Sequence, residues 1–216
     1  MSTLPGPGFA VVELATTPTP AALADALEAL REQPGVNCVV LSGERFAAGD
    51  EDGMIRWLEG FELPSLFAFA GEPDSGAVAV ALACDIRICD AATRLHIAAA
   101  GTRRLLTLIG AGASVELIRR RGVVDPETAL AWGLVSQVTP AGEARKRAGE
   151  LAATIASRGP VATRLAREAI WRGLDMPLGQ ALRFETDLTL LLQTTKDRAE
   201  GVRAFIEKRP PRFIGE

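Results

Sequence analysis

The chain has 216 residues, 48% hydrophobic and 24% charged, a composition typical of one globular domain or of a domain with a helical extension. A net charge of −3 and an aromatic content of 5%, without tyrosine, argue against a nucleic-acid-binding protein, which needs a basic face or aromatic stacking platforms. Three cysteines in apolar segments, Cys38, Cys84 and Cys89, predict reduced core thiols in a cytoplasmic protein and no metal site. The first residues do not resemble a secretion signal, and the sequence has no apolar run long enough to span a membrane.

The first half of the chain alternates short apolar runs with helical patterns. Strands are predicted at 9–14, 36–43, 64–71, 85–89 and 93–97, and helices from 20 to the Pro34-Gly35 stop and at 54–61. Periodicity allows either a strand or a helix at 76–84, but its alanines and the capping pair Asp74-Ser75 favour a helix. This rhythm predicts an α/β core with a parallel sheet.

The second half is predicted to be mostly helical. One helix ends at Gly122, the next begins at Asp125-Pro126-Glu127 and ends at Gly133, and a short strand follows at 134–140. Further helices are predicted at 142–157, 160–172, 177–193 and 196–207, and the tryptophans Trp57, Trp132 and Trp171 are predicted to be packing residues. The shift in composition near residue 140 predicts a core at 1–140 and a helical region at 141–216.

Several segments together resemble the crotonase superfamily, the enoyl-CoA hydratase/isomerase family. The matching segments, in chain order, are VVLSGERFAAGD, ALACDIRIC, GTRRLLTLIG, DPETALAWGLVSQVTP, GPVATRLAREAIWRGLDMPLGQAL and AEGVRAFIEKRPPRFIGE. The resemblance covers nearly the whole chain. It implies an α/β fold with a crotonase-like β-β-α spiral core and a C-terminal helical region that forms a homotrimer or a dimer of trimers.

The resemblance also implies a chemistry. In this family two backbone N–H groups form an oxyanion hole. They bind the thioester oxygen of an acyl-CoA and stabilise the enolate that forms from it. The two donors map onto Gly76 and Asp50, and Ala48 is expected to contact the coenzyme A part. Lys208 and Arg209 are candidates for contacts with the CoA phosphates of a neighbouring subunit, or else ordinary surface charges. Coenzyme A is expected as part of the substrate or ligand, with no permanently bound cofactor and no metal.

This chain departs from the family pattern at the acid–base groups. Hydratases that resemble it use two glutamates, and the matching positions here are Ala79 and the neighbourhood of Ala99. Asp74 is the nearest candidate acid or base, against a simple capping role. We therefore expect weak or absent hydratase activity, and whether a lyase or isomerase reaction of lipid metabolism survives stays open. The alternatives are a non-catalytic acyl-CoA-binding or accessory protein to a partner enzyme, and a structural trimer partner without a ligand.

Overall fold

The computed structural model describes residues 2–6, 8–14, 18–47, 51–97 and 102–216. The strands are β1 (Ser2–Gly6), β2 (Phe9–Glu13), β3 (Val39–Ser42), β4 (Ser65–Ala68), β5 (Ile86–Asp90), β6 (Leu95–His96), β7 (Val123–Val124) and β8 (Gln137–Thr139). The helices are α1 (Pro20–Arg31), α2 (Glu51–Glu59), α3 (Ser75–Ala83), α4 (Thr102–Arg119), α5 (Pro126–Ala131), α6 (Ala144–Ala156), α7 (Pro160–Gly173), α8 (Leu178–Gln193) and α9 (Lys196–Glu207).

The main sheet of the described residues has the order β1-β2-β3-β4-β5-β8. β1 pairs antiparallel with β2, and every other neighbouring pair is parallel. A second, small sheet pairs β6 with β7. The predicted α/β core with a parallel sheet is therefore confirmed, and the carboxyl ends of β2 to β5 lie along one edge.

Side chains alternate between the two faces of the main sheet, as the strand period requires. Val39, Leu41 and Phe67 face the larger apolar cluster, which also holds residues of α1, α2 and α3. Val40 and Leu66 face the opposite side, where α6 packs through a stripe of alanines. The small side chains of this stripe let α6 approach the sheet closely, so α6 covers one face of the core although it lies after residue 140 in the chain. The division at residue 140 stays a prediction.

Helix α3 is enclosed by the rest of the fold. Every residue from Gly76 to Ala83 is buried, and the helix packs against α2, α4 and β6. Its lack of a polar face explains why periodicity alone allowed a strand here. The prediction of a helix, made from alanine content and the capping pair, is confirmed.

The structure differs from the predicted elements at several places. β1 and β7 were not predicted, and α2 begins at Glu51, before the predicted start at residue 54. The chain was predicted to be almost wholly helical from about residue 102, and α4 begins at Thr102, but it is interrupted at Gly110, whose φ of 75° lies outside the helical region. Within the described ranges, no helix has both the length and the apolar character to cross a membrane.

Candidate functional site

The loops that follow β3 and β4 meet at the amino end of α3. Because β3 and β4 are parallel neighbours, their carboxyl ends lie side by side, and the chain leaves both in the same direction. The Asp74 N–H donates to the carbonyl oxygen of Glu44 at 2.8 Å, and the Phe46 N–H donates to Asp74 Oδ2 at 3.1 Å. The two loops are therefore joined by hydrogen bonds in both directions.

Asp74 is also the N-cap of α3. Its Oδ1 accepts from the Ala77 N–H at 2.8 Å, and its carbonyl oxygen accepts from the Val78 N–H at 3.0 Å. The first N–H groups of a helix have no partner within the helix. The Gly76 N–H is one of these, and it has no acceptor among the described residues, although Gly76 is buried. Within the described part of the chain, the amino end of α3 thus carries a buried N–H without an acceptor.

At position 76 the neighbouring loop leaves little space for a side chain. A Cβ built at this position would lie 3.0 Å from Phe46 Cβ and 3.1 Å from the Phe46 carbonyl oxygen. Its backbone is helical, so a positive φ is not the reason. The loop after β3 therefore approaches α3 at backbone distance, which glycine permits.

Of the other predicted positions of this site, the structure describes only Ala79. Ala79 lies in α3, three residues after Gly76, and is 5% exposed. The described residues of α3 offer no ionisable side chain between Gly76 and Ala83. Ala48, Asp50 and Ala99 lie outside the described residues.

The two basic residues predicted to reach coenzyme A lie at the end of α9. Lys208 is its C-cap, in the left-handed region with a φ of 53°. Arg209 donates from Nη1 and Nη2 to Glu200, at 2.6 and 3.0 Å, and from Nε to Glu207 at 2.6 Å. Hydrogen bonding to Arg209 lowers the pKa of the Glu200 carboxyl to about 2. The Arg209 guanidinium is thus held by carboxylates of the preceding helix, α9, and a contact with CoA stays a prediction.

A cavity of about 480 Å³ lies at the carboxyl edge of the sheet. It is lined by the ends of β2 to β5 and by the start of α6, with charged side chains from Glu44, Arg45, Asp90 and Arg145 among them. Asp90 is 3% exposed, and its carboxylate accepts from the Thr93 hydroxyl at 3.0 Å and from the Gly142 N–H at 2.8 Å. Ligands of open parallel sheets bind at this edge, so the cavity is a place where part of a ligand could lie.

Sequence reasoning missed a largely buried polar cluster that joins α7 to the core. Asp85 accepts from Arg167 Nε at 2.9 Å and from Trp171 Nε1 at 2.5 Å. The guanidinium of Arg104 lies 3.6 Å from the centroid of the Trp171 ring, and burial lowers the pKa of Arg104 to about 10. The prediction that Trp171 is only a packing residue is therefore incomplete. Buried charges need partners, so Asp85 and Arg104 could have signalled the cluster, but not which residues complete it.

Comparisons with known proteins show which family the chain resembles. The family model described as enoyl-CoA hydratase/isomerase matches residues 54–216. Methylglutaconyl-CoA hydratase of Mus musculus, a mitochondrial protein, is 35% identical over 176 residues, which cover 76% of this chain and 56% of that protein. YngF of Bacillus subtilis (strain 168), which carries an enoyl-CoA hydratase/isomerase name, is 34% identical over 211 residues, covering 83% of this chain and 81% of that protein.

Solved structures extend the similarity to the fold. The crystal structure of an enoyl-CoA hydratase from Bacillus anthracis superposes with a TM-score of 0.85 and 30% identity, covering 100% of this chain and 99% of that one. The predicted crotonase-like core is therefore confirmed. The chain spans little more than half of the length of the Arabidopsis thaliana and Mus musculus relatives, 57% and 56%.

Proposed function

Because the chain belongs to the enoyl-CoA hydratase/isomerase family, we propose that it binds an acyl-CoA thioester and that the Gly76 N–H donates to the thioester oxygen. The observation that carries this proposal is the buried Gly76 N–H, which has no acceptor among the described residues and lies at the amino end of α3. A helix amino end favours a negatively charged oxygen, because its free N–H groups and its dipole point towards it. The same donor would stabilise an enolate formed from the thioester.

The second donor is proposed to be the Asp50 N–H. The loop that leads to it is anchored in the described part of the chain, since the Phe46 N–H binds Asp74 and the Ala47 N–H donates to the Pro18 carbonyl oxygen at 3.0 Å. These bonds bring the loop to the amino end of α3, where a second donor is needed. We further propose that coenzyme A contacts Ala48 and extends along the carboxyl edge of the sheet.

We expect little hydration by this site. Two positioned carboxylates contribute about 10²–10⁴-fold each to such proton transfers. The family places them at positions that are Ala79 and the neighbourhood of Ala99 here. Two backbone donors alone would supply about 3–4 kcal/mol each. The site would therefore bind and polarise a thioester, while a lyase or isomerase reaction would need another proton carrier.

A non-catalytic acyl-CoA-binding or accessory protein is the second candidate. The absence of any ionisable side chain from Gly76 to Ala83 favours it, since the helix that carries the proposed donor offers no group that could move a proton. In this case a partner enzyme would act on the bound thioester. A cytoplasmic location is proposed for either candidate, because Cys38, Cys84 and Cys89 are free thiols, as proteins of a reducing compartment keep them.

We also propose that the chain forms a homotrimer or a dimer of trimers through its C-terminal helices. α8 buries no residue in the single chain, although it carries exposed leucines: Leu178 is 75%, Leu182 55% and Leu190 61% exposed. Ile170 of α7, at 65%, extends this apolar surface. Patches of this kind mark interfaces in soluble proteins. Light scattering on a size-exclusion column should give the mass of three or six chains, and Leu182→Glu should lower it; a wild-type protein that elutes as a monomer would contradict the assembly.

Calorimetry with crotonyl-CoA and with free CoA tests the main proposal. We expect crotonyl-CoA to bind more tightly than CoA, because free CoA has no thioester carbonyl oxygen to accept from the Gly76 N–H. A parallel absorbance assay should show little loss of the enoyl group. Equal affinities would refute the proposed donor, and rapid hydration would refute the expected loss of acid–base chemistry. If Ala79→Glu combined with Ala99→Glu gains no turnover, the accessory candidate is favoured over an inactivated hydratase.

A further inference from the structure

Both carboxylate oxygens of Asp74 are committed to backbone N–H groups on different elements. Oδ1 binds the Ala77 N–H of α3 and Oδ2 binds the Phe46 N–H of the loop after β3, 28 residues away in the chain. A simple N-cap needs only the first of these bonds. The second bond crosses to the loop that leads to the other proposed donor. We propose, resting on the proposed function, that Asp74 is a positioning residue that holds the two donor-bearing loops at a fixed separation.

The fixed separation matters because a thioester oxygen must receive both hydrogen bonds at once. Productive donor geometry has to be held within about 0.5 Å, and a displacement of about 1 Å at such a site costs about 10²-fold. Four contacts set the spacing between the amino end of α3 and residues 44–46 of the loop that leads to Asp50. They are the two carboxylate bonds, the bond from the Asp74 N–H to the Glu44 carbonyl oxygen, and the close approach of Gly76 to Phe46. Asp74 makes three of the four, so it is the residue on which the spacing depends most.

The same contacts make Asp74 unsuited to proton transfer. A carboxylate that acts as a base has to turn an oxygen towards the substrate, and each oxygen of Asp74 already accepts from a backbone N–H. Taking up a proton on either oxygen would remove the negative charge that strengthens the bonds to the helix cap and to the neighbouring loop. The side chain therefore acts on the thioester through Gly76 and Phe46, without touching it.

A series of substitutions separates the bridge from the cap. Asp74→Ser keeps a good N-cap oxygen for the Ala77 N–H but has no second oxygen for Phe46. Asp74→Asn keeps the size, but replaces one acceptor with an NH₂ donor. Asp74→Ala removes both bonds. Amide hydrogen exchange should therefore accelerate at Phe46 in all three variants, and at Ala77 mainly in Asp74→Ala.

The ligand readout is the ratio of the dissociation constants of free CoA and crotonyl-CoA, measured by calorimetry. A charge-assisted hydrogen bond to a backbone N–H is stronger than one between neutral groups. Because Asp74→Ser loses such a bond to the Phe46 N–H, we expect this ratio to fall by about tenfold or more, with the affinity for free CoA unchanged. If Asp74 were only a helix cap, Asp74→Ala would lower the unfolding midpoint, and Asp74→Ser would keep the wild-type ratio. That result would overturn the proposal.

Two further results would test the positioning role of Asp74. If Asp74→Asn keeps the full thioester preference and loses only a measured turnover, Asp74 is an acid or base and the positioning role is wrong. If the wild type has no preference for the thioester, the proposed function fails. The exchange comparison at Phe46 then decides alone, and unchanged exchange in Asp74→Ser would show that Asp74 does not hold the loop.

Discussion

Replacing Gly76 with alanine tests the close approach between α3 and the loop after β3. Two effects oppose each other. Alanine is a better helix former than glycine, by up to about 1 kcal/mol. Its Cβ, however, would lie 3.0 Å from Phe46 Cβ and 3.1 Å from the Phe46 carbonyl oxygen, and neither atom is the end of a flexible side chain. Overpacking of this kind costs about 1–3 kcal/mol. We therefore expect a net loss of up to about 2 kcal/mol in the free energy of unfolding.

Gly112→Ala is the matched control. Gly112 lies in α4, and a Cβ there would meet nothing within 4 Å, so only the gain in helix propensity should appear. Urea unfolding at one protein concentration gives both free energies, and calorimetry with crotonyl-CoA shows whether the displaced loop weakens binding as well. If Gly76→Ala stabilises the protein as much as Gly112→Ala does, the loop does not approach Gly76 as described.

Three other predictions concern the rest of the fold. Asp85→Asn takes the partner charge from Arg167, whose side chain is 9% exposed, and should lower the free energy of unfolding by about 3 kcal/mol. Burial raises the pKa of the Cys84 thiol to about 12, so it should react with a disulfide reagent only after unfolding in urea. Since Arg209 lowers the pKa of Glu200 from 4.5 to about 2, their contact should stabilise the tail fully above pH 4.5 and lose its effect as the pH falls towards 2. The protection of the tail amides from hydrogen exchange, relative to the intrinsic rate at each pH, should fall over the same pH range.

Each of these has its own control. Arg164→Ala breaks a pair with Glu62 in which both side chains are 48% exposed, and should cost less than about 1 kcal/mol. An equal cost for Asp85→Asn would contradict a buried network. Reaction of native Cys84 at the rate of the unfolded chain would contradict its burial. The Arg212 N–H donates to Glu200 at 2.9 Å, so its protection from exchange, relative to the intrinsic rate at each pH, should fall as Glu200 is protonated. Glu200→Gln should remove this pH dependence of the protection, and a dependence that persists would contradict the assignment.

Local signals in the sequence were enough to predict α3. Asp74 precedes a run of alanines, and a cap followed by good helix formers indicates a helix even where the apolar pattern has no period. β1 could not be predicted in the same way. Its sequence, STLPG, carries Pro5 and Gly6 and shows no alternation, and it forms a strand only because it lies at the edge of the sheet beside β2. Proline is tolerated at such an edge.

The contacts that organise the candidate site were beyond sequence reasoning for a related reason. Gly76 was predicted from the resemblance, and its N–H has no acceptor among the residues that the structure describes. The bond from Phe46 to Asp74 spans 28 residues, and that from Arg167 to Asp85 spans 82. No spacing rule connects residues so far apart, because their proximity follows from the order of the strands. The bridging role of Asp74 therefore emerges only from the folded chain.

The carbonyl stretching frequency of bound crotonyl-CoA tests the central claim most directly. With ¹³C at the thioester carbon, difference infrared spectroscopy separates this band from the protein amides. If backbone N–H groups bind the thioester oxygen, the band should move to a lower frequency in the wild-type complex, and less so in Gly76→Ala, where the loop is displaced. If calorimetry shows that the complex is saturated and the band still has the frequency of free crotonyl-CoA in water, the result contradicts the account.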